Sequence, residues 1–128
     1  MDRKQEATLR VKVNIINGPT VVIVMIGELS IFIPEFQLFY QQVGEYISEG
    51  LDKFIIDLDQ ITYIDSSGIG LLIKLAANTM KNNTKICIIC EQPQVRKALT
   101  LANIDRIFYF VQNLEEGVDY YGLPKSPR

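Results

Sequence analysis

The spacing of apolar residues changes period repeatedly along this chain, and no other feature restricts its fold so far. Residues 8–16 alternate, with Leu9, Val11, Val13 and Ile15 on one side and Arg10, Lys12 and Asn14 on the other. A period of two marks a half-buried strand. Asn17-Gly18-Pro19 is a turn signal and Val21 to Ile26 an unbroken β-rich run, so the two segments predict an antiparallel hairpin. Beyond Gly27-Glu28-Leu29-Ser30 the period becomes helical: Phe36, Phe39, Tyr40, Val43 and Ile47 follow Pro34, which suits a helix start, and Gly50 suits its end. Lys53 to Leu58 predicts a third strand. Ile69, Leu72, Ile73, Ala76 and Met80 form an apolar stripe on a second helix that begins near Ser66. Ile86 to Cys90 reads as a fourth strand, and Val95, Leu99 and Ala102 as one face of a third helix. Ile107 to Phe110 reads as a short fifth strand, with a final helical turn over Leu114 to Tyr121.

The order β-β-α-β-α-β-α-β-(α) predicts an α/β fold: a mostly parallel mixed sheet with an antiparallel N-terminal strand and helices packed alongside. Its strand–helix–strand crossovers should be right-handed. With 128 residues there is room for one domain. That domain is expected over residues 8–119, after an N-terminal segment of residues 1–7 and before a flexible tail, 120–128, in which the apolar period is lost.

Composition removes several classes of function. The chain has no histidine, which excludes Ser-His-Asp and Cys-His catalysis, an imidazole general base and His-ligated metals. A net charge of −2 offers no basic excess for phosphate backbones, so direct nucleic-acid binding is not expected. No stretch approaches the ~18–20 apolar residues that span a bilayer, and the charged start Met1-Asp2-Arg3-Lys4-Gln5-Glu6 lacks the apolar core of a signal peptide. The chain reads as soluble and cytoplasmic, with no cofactor.

Two motifs invite chemistry and are read otherwise. Cys87-Ile88-Ile89-Cys90 has redox spacing but lies in a strand, where its side chains point to opposite faces, so core packing is the expectation. Glu28, Asp57, Asp59 and Asp65 could gather near strand ends, yet no recognisable metal-ligand spacing joins them. Arg96-Lys97 reads as a solvated basic pair, and Tyr63 as loop packing rather than an interface aromatic. Ile31-Phe32-Ile33, ahead of the first helix, either covers the core or forms a contact patch.

Asp65-Ser66-Ser67-Gly68-Ile69-Gly70 stands where a strand's loop opens a helix. A Ser or Asp oxygen at this point can cap the free N–H groups of the first turn. Equally, a phosphate on such a Ser adds about −1.5 to −2 charge beside the positive end of the helix dipole. The stretch fails three better-known patterns. It lacks the glycine two residues before the Ser that a nucleophile elbow needs, the third glycine of a dinucleotide fingerprint, and the lysine of a phosphate-binding loop.

At this point the chain closely resembles a STAS domain, the fold of the bacterial anti-sigma factor antagonists, over about residues 8–119. The carrying residues are Gly27-Glu28-Leu29, Phe54-Ile55-Ile56-Asp57-Leu58, Ile61 to Leu72 through the Asp-Ser-Ser-Gly-x-Gly motif, Ile86 to Ile89 and Val95 to Leu99. The resemblance implies a non-enzymatic switch. Its phosphoacceptor falls on Ser66, its partner is an anti-sigma factor serine kinase, and a serine phosphatase restores binding. The implied partner-binding loop comprises Glu28, Ser30, Tyr63, Asp65, Ser66, Ser67 and Gly68. The family usually carries an acidic residue after Gly-Glu-Leu, where this chain has Ser30. A constitutive STAS module, such as a stressosome-like scaffold or a lipid-transport subunit without phospho-switching, is the second reading. A small enzyme or nucleotide binder with the same sheet topology is the third.

Overall fold

The computed structural model of the chain describes residues 7–16, 20–80 and 84–122. Its elements are β1 (Leu9–Ile16), β2 (Thr20–Leu29), α1 (Pro34–Ser48), β3 (Lys53–Ile64), α2 (Ser66–Met80), β4 (Ile86–Ile89), α3 (Pro93–Leu101), β5 (Phe108–Val111) and α4 (Leu114–Tyr120), with a 3₁₀ turn at Asp105–Ile107. The five strands form one sheet in the order β1-β2-β3-β4-β5. β1 runs antiparallel to β2, from Leu9 opposite Gly27 to Ile16 opposite Thr20, and the other pairs are parallel. The single α/β domain with a mixed sheet is therefore as the sequence predicts. The Asn17-Gly18-Pro19 turn lies outside the described residues.

Sequential parallel strands joined by crossovers of one hand place every crossover helix on the same sheet face. Accordingly α1, α2 and α3 share one core with alternate strand residues: Phe36, Phe39 and Val43 from α1, Leu71, Leu72, Leu75 and Ala76 from α2, and Val95 and Leu99 from α3 meet Ile23, Met25, Phe54, Ile56, Leu58 and Ile88. The opposite face carries a smaller cluster of Val22, Ile55, Cys87, Ile89 and Val111, against which Val118, Tyr120 and Tyr121 pack.

Several local expectations shift. On α2 the buried stripe runs through Gly68, Leu71, Leu72, Leu75, Ala76 and Thr79, while Ile73 and Met80 are exposed. The helix is apolar around most of its circumference, so periodicity alone could not fix which face turns inward. Ala102, expected on the inner face of α3, is exposed just beyond the helix. The expected boundary at 119 also falls short of the packing. Tyr120 stacks on Tyr109 at 4.2 Å between ring centroids, and its hydroxyl accepts from Lys85 N. The Tyr121 hydroxyl accepts from Phe54 N and donates to Lys85 O at 2.7 Å. Their rings fasten α4 to the sheet because little else covers that face. Residues 123–128 lie outside the described residues.

Cys87 and Cys90 are free and buried, one in each of the two clusters. Burial pushes the Cys87 thiol up to about 12 and also raises Cys90. Because the thiolate is the reactive form, native protein at pH 8 is expected to leave both thiols unalkylated while the urea-unfolded chain reacts fully. Intact mass after iodoacetamide reads the difference, and rapid native labelling of either cysteine contradicts the packing.

Candidate functional site

β3 runs well past the point where the sequence places its end. Its last pairing with β4 is Asp57 opposite Ile89, but it continues beside β2 as far as Ile64 opposite Leu29. Two register shifts, between Val24 and Ile26 and between Gly27 and Glu28, insert extra residues into β3. Each bulge breaks the period of two, so the buried residues become Leu58, Ile61 and Ile64, three apart. That irregularity hid the second half of the strand. Asp57 assists locally by accepting from Asp59 N at 2.9 Å; partial burial pushes its carboxyl up.

The parallel pairing of Leu29 with Ile64 brings the next residue of each strand, Ser30 and Asp65, side by side. Asp65 precedes α2, and its Oδ1 accepts from Gly68 N at 3.0 Å, the bond of an N-cap. The other oxygen, Oδ2, accepts from Ser30 Oγ at 2.8 Å and from Ile31 N at 3.0 Å. The Ser30 hydroxyl in turn accepts from Phe32 N at 3.2 Å, and Ser30 O accepts from Ile33 N. Burial pushes the Asp65 carboxyl up, but hydrogen bonds from Gly68, Ser30, Ile31 and Ser67 outweigh it and hold the group below the usual carboxylate range. Ser30 is buried. A carboxylate at position 30 could not donate to Asp65 and would face it as a like charge.

Gly68 lets the first turn of α2 sit directly on the end of β2. A Cβ there would stand 2.3 Å from Leu29 O and 2.9 Å from Ile64 Cγ1. Ser66, the first residue of α2, is exposed, whereas Ser67 is half-buried. Among the described residues none accepts a hydrogen bond from the Ser66 hydroxyl. The residue that caps the helix is thus Asp65, and Ser66 stays accessible beside it.

Apolar surface surrounds this point. Phe32 is 86% exposed and Ile31 49%, while Ile33 is buried, so the tripeptide both covers the core and forms a surface patch. One groove of about 270 Å³ is lined by Ile31, Phe36, Gln37, Tyr40, Ser67 and Gly70. A second, of about 350 Å³, lies between the end of β3 and α3 and is lined by Thr62, Tyr63, Ile64, Gln94, Val95 and Ala98. Tyr63 belongs to β3 and is 50% exposed at that groove, so it is a surface aromatic and not loop packing. Glu28 pairs with Tyr63 in the sheet, and its N–H donates to Thr8 O. Arg96 is exposed, as expected of the basic pair, but its guanidinium lies 3.9 Å over the Phe110 ring and donates to Cys90 O.

The structure therefore brings Glu28, Ser30, Tyr63, Asp65, Ser66, Ser67 and Gly68 to one end of the sheet. The sequence does not single out the groove residues Phe36, Gln37 and Tyr40 for a site, because their spacing reads only as helix, whereas Gly70 belongs to the serine motif. Asp57 and Asp59 stand apart from the site: Asp59 Oδ1 accepts from Glu91 N in the β4–α3 connection. Among the described residues no three His, Cys, Asp or Glu converge on a common point. In open α/β sheets, nucleotides sit where the strand order reverses; β2-β3-β4-β5 runs in sequence order and has no such reversal. Among the described residues, no helix is long and apolar enough to cross a membrane.

Comparison with known proteins agrees with this fold. The family model described as "STAS domain" matches residues 10–117. A STAS-domain containing protein of Pseudomonas aeruginosa (strain UCBPP-PA14) is 34% identical over 56 residues, which cover 44% of this chain and 55% of that relative. The match thus spans about half of the relative's length. Among solved structures, the anti-sigma factor antagonist SpoIIAA in its unphosphorylated form superposes with a TM-score of 0.75 at 18% identity, covering 91% of this chain and all of that one. The phosphorylated form of SpoIIAA, a cell fate determinant of Bacillus, gives 0.67 at 20% identity, covering 86% and 97%. At these identities the structural likeness concerns the fold alone. The family match, which spans most of the chain, establishes more: the protein belongs to the STAS-domain family, a non-catalytic regulatory module.

Proposed function

We propose that this protein is an anti-sigma factor antagonist that binds a serine-kinase anti-sigma factor through the surface around Ser66. Phosphorylation of Ser66 switches it off, and a serine phosphatase restores binding. The observation that carries the reading is the placement of Ser66: an exposed hydroxyl on the first residue of α2, beside grooves lined by Ile31 and Tyr63. An apolar surface of this kind suits a protein partner. A phosphate added there enlarges the negative charge next to Asp65 and changes that surface, while the free N–H groups and dipole of the helix start let the fold tolerate it. The likeness to SpoIIAA, known in both unphosphorylated and phosphorylated forms, supports the same reading.

Two measurements test it. Protein purified from its native cells is expected to carry phosphate on Ser66 under some growth conditions, located by fragment mass mapping. With a kinase-type anti-sigma factor as partner, Ser66→Asp is expected to weaken binding at least tenfold, about 1.4 kcal/mol, while Ser66→Ala binds as wild type. Equal affinity for wild type, Ser66→Asp and the phosphorylated protein contradicts the switch.

The exposed Phe32 beside Ile31 favours a second reading, a constitutive scaffold module in which the serine motif only opens a helix. In that case Ser66 is unmodified under every condition, and Phe32→Asp disrupts assembly as strongly as any change at Ser66.

A further inference from the structure

We infer that the Ser30–Asp65 hydrogen bond is a clasp through which phosphate on Ser66 would release the Ile31–Phe32 loop. The Phe32 side chain then becomes a second element that reports the state of Ser66. The inference rests on the proposed role of Ser66, and the residues it would release, Ile31 and Phe32, lie outside the serine motif.

The loop is tied down by a short relay. Phe32 N donates to Ser30 Oγ, Ser30 Oγ donates to Asp65 Oδ2, and Ile31 N donates to the same carboxylate oxygen. Two of the three bonds end on one carboxylate oxygen, and the third is joined to it through Ser30 Oγ. That carboxylate is anchored on its other side by Gly68 N, in the first turn of the helix that Ser66 opens. A phosphate on Ser66 acts on both sides of this arrangement. Its three acceptor oxygens compete for the N–H groups of Ser67 and Gly68, and its charge repels the Asp65 carboxylate.

The two ends of the network differ in how firmly they are built. Gly68 is wedged against Leu29 O and Ile64, with no room even for a methyl group, so the helix start is packed tightly against the sheet. The Ile31–Phe32 segment has little to hold it beyond the clasp: Phe32 is 86% exposed and Ile31 about half exposed, and the nearest core anchor is Ile33. Displacement of the carboxylate is therefore taken up by the loop. The hydroxyl at position 30 is central to this coupling, because its one oxygen accepts from Phe32 N while its proton goes to Asp65.

The test needs no kinase and no partner. Phosphoserine is incorporated at position 66 during synthesis of the full chain, and amide exchange is followed by NMR. Exchange of the Ile31 and Phe32 N–H groups is expected to speed up at least tenfold, with Leu71 and Leu72 in α2 unchanged as internal controls. Ser30→Ala alone is expected to give the same fast exchange at Phe32, with Ile31, which donates directly to Asp65, affected less. Phosphoserine 66 added to Ser30→Ala should change Phe32 little further, since at that residue both act through the Ser30 bond. The chain has no tryptophan, so Phe32→Trp gives a single emission that should shift on phosphorylation only when Ser30 is present. Unchanged or slower exchange at Ile31 and Phe32 in the phosphoserine protein overturns the clasp, as do additive effects of the two changes at Phe32. Because the phosphate is installed directly, failure here leaves the Ser66 switch standing, and absence of Ser66 phosphate in cells leaves this coupling testable.

Discussion

Gly68→Ala is expected to destabilise the protein by about 2–3 kcal/mol, lowering its melting temperature by roughly 10 °C. The sign is informative, because helix propensity alone argues the other way. Alanine in the interior of a helix is favoured over glycine by about 1 kcal/mol, and α2 is a helix of 15 residues with Gly68 in its first turn. What opposes propensity is space. An alanine methyl would lie 2.3 Å from Leu29 O and 2.9 Å from both Ile64 Cγ1 and Leu29 Cγ. Leu29 O is a backbone atom that already accepts from Asp65 N at 3.2 Å, so it cannot retreat without breaking the junction of β2, β3 and α2. Gly70, two residues on, supplies the control: nothing lies within 4 Å of its would-be methyl, and it is exposed. Gly70→Ala is therefore expected to stabilise by up to about 1 kcal/mol. Urea unfolding of the two variants beside wild type decides the matter, and a Gly68→Ala protein as stable as Gly70→Ala would sink the close-packed junction.

That contrast shows where sequence reading reaches and where it stops. The element order, the antiparallel first pair and the parallel remainder follow from apolar periods and loop lengths, which are local properties. The start of α2 at Ser66 was legible because Asp-Ser-Ser-Gly is a strong opening signal. The second half of β3 was not, because two bulges turn the alternation into Leu58, Ile61, Ile64. Nor was the inner face of α2, where apolar residues surround the axis. The bond between Ser30 and Asp65 joins residues 35 apart in sequence. It becomes visible only once β2 and β3 are aligned in parallel with matched ends. Each residue taken alone looks like an ordinary loop polar group. Tyr120 and Tyr121 mislead for a related reason: they follow the last short helix, and their partners, Phe54, Lys85 and Tyr109, lie on three other segments.

The packing also bears on why the proposed site lies at one end of this molecule. All three crossover helices share a face, and α4 attends to part of the other, so neither face offers a crevice at a strand-order reversal. The end of the sheet beyond β4 is different. There β2 and β3 run on past β4, with β1 alongside β2 as far as Gly27, carrying polar groups outward while Ile31, Phe32 and Tyr63 stay in water. On the proposed reading, an exposed serine ringed by apolar area suits recognition of a protein surface.

Asp65→Ala is expected to cost about 2–3 kcal/mol at pH 7, and the cost should shrink as the solution is acidified. Loss of an N-cap accounts for about 0.5–2 kcal/mol. The remainder comes from the buried Ser30 hydroxyl, which loses the acceptor it donates to, and typical hydrogen bonds contribute about 0.5–1.5 kcal/mol each. Ile31 N can turn to water and adds little. The pH dependence follows from the direction of the Asp65 shift. Its folded-state carboxyl is held below the usual range by the bonds from Gly68, Ser30, Ile31 and Ser67, after burial has pushed the other way. A carboxylate whose folded value is depressed stabilises fully above its unfolded value, about 3.9, and that part is lost as pH falls through the folded value. Wild type should therefore lose this part of its advantage over Asp65→Ala below about pH 4. Asp65→Asn separates charge from geometry: its single carbonyl oxygen can serve either Gly68 N or the Ser30–Ile31 side, not both. It is expected to lose about half as much at pH 7 and to show no acid-dependent component from this site. Urea midpoints measured from pH 3 to pH 7 for the three proteins provide the check. If wild type and Asp65→Asn lose stability in parallel across that range, the carboxylate does not hold the site together.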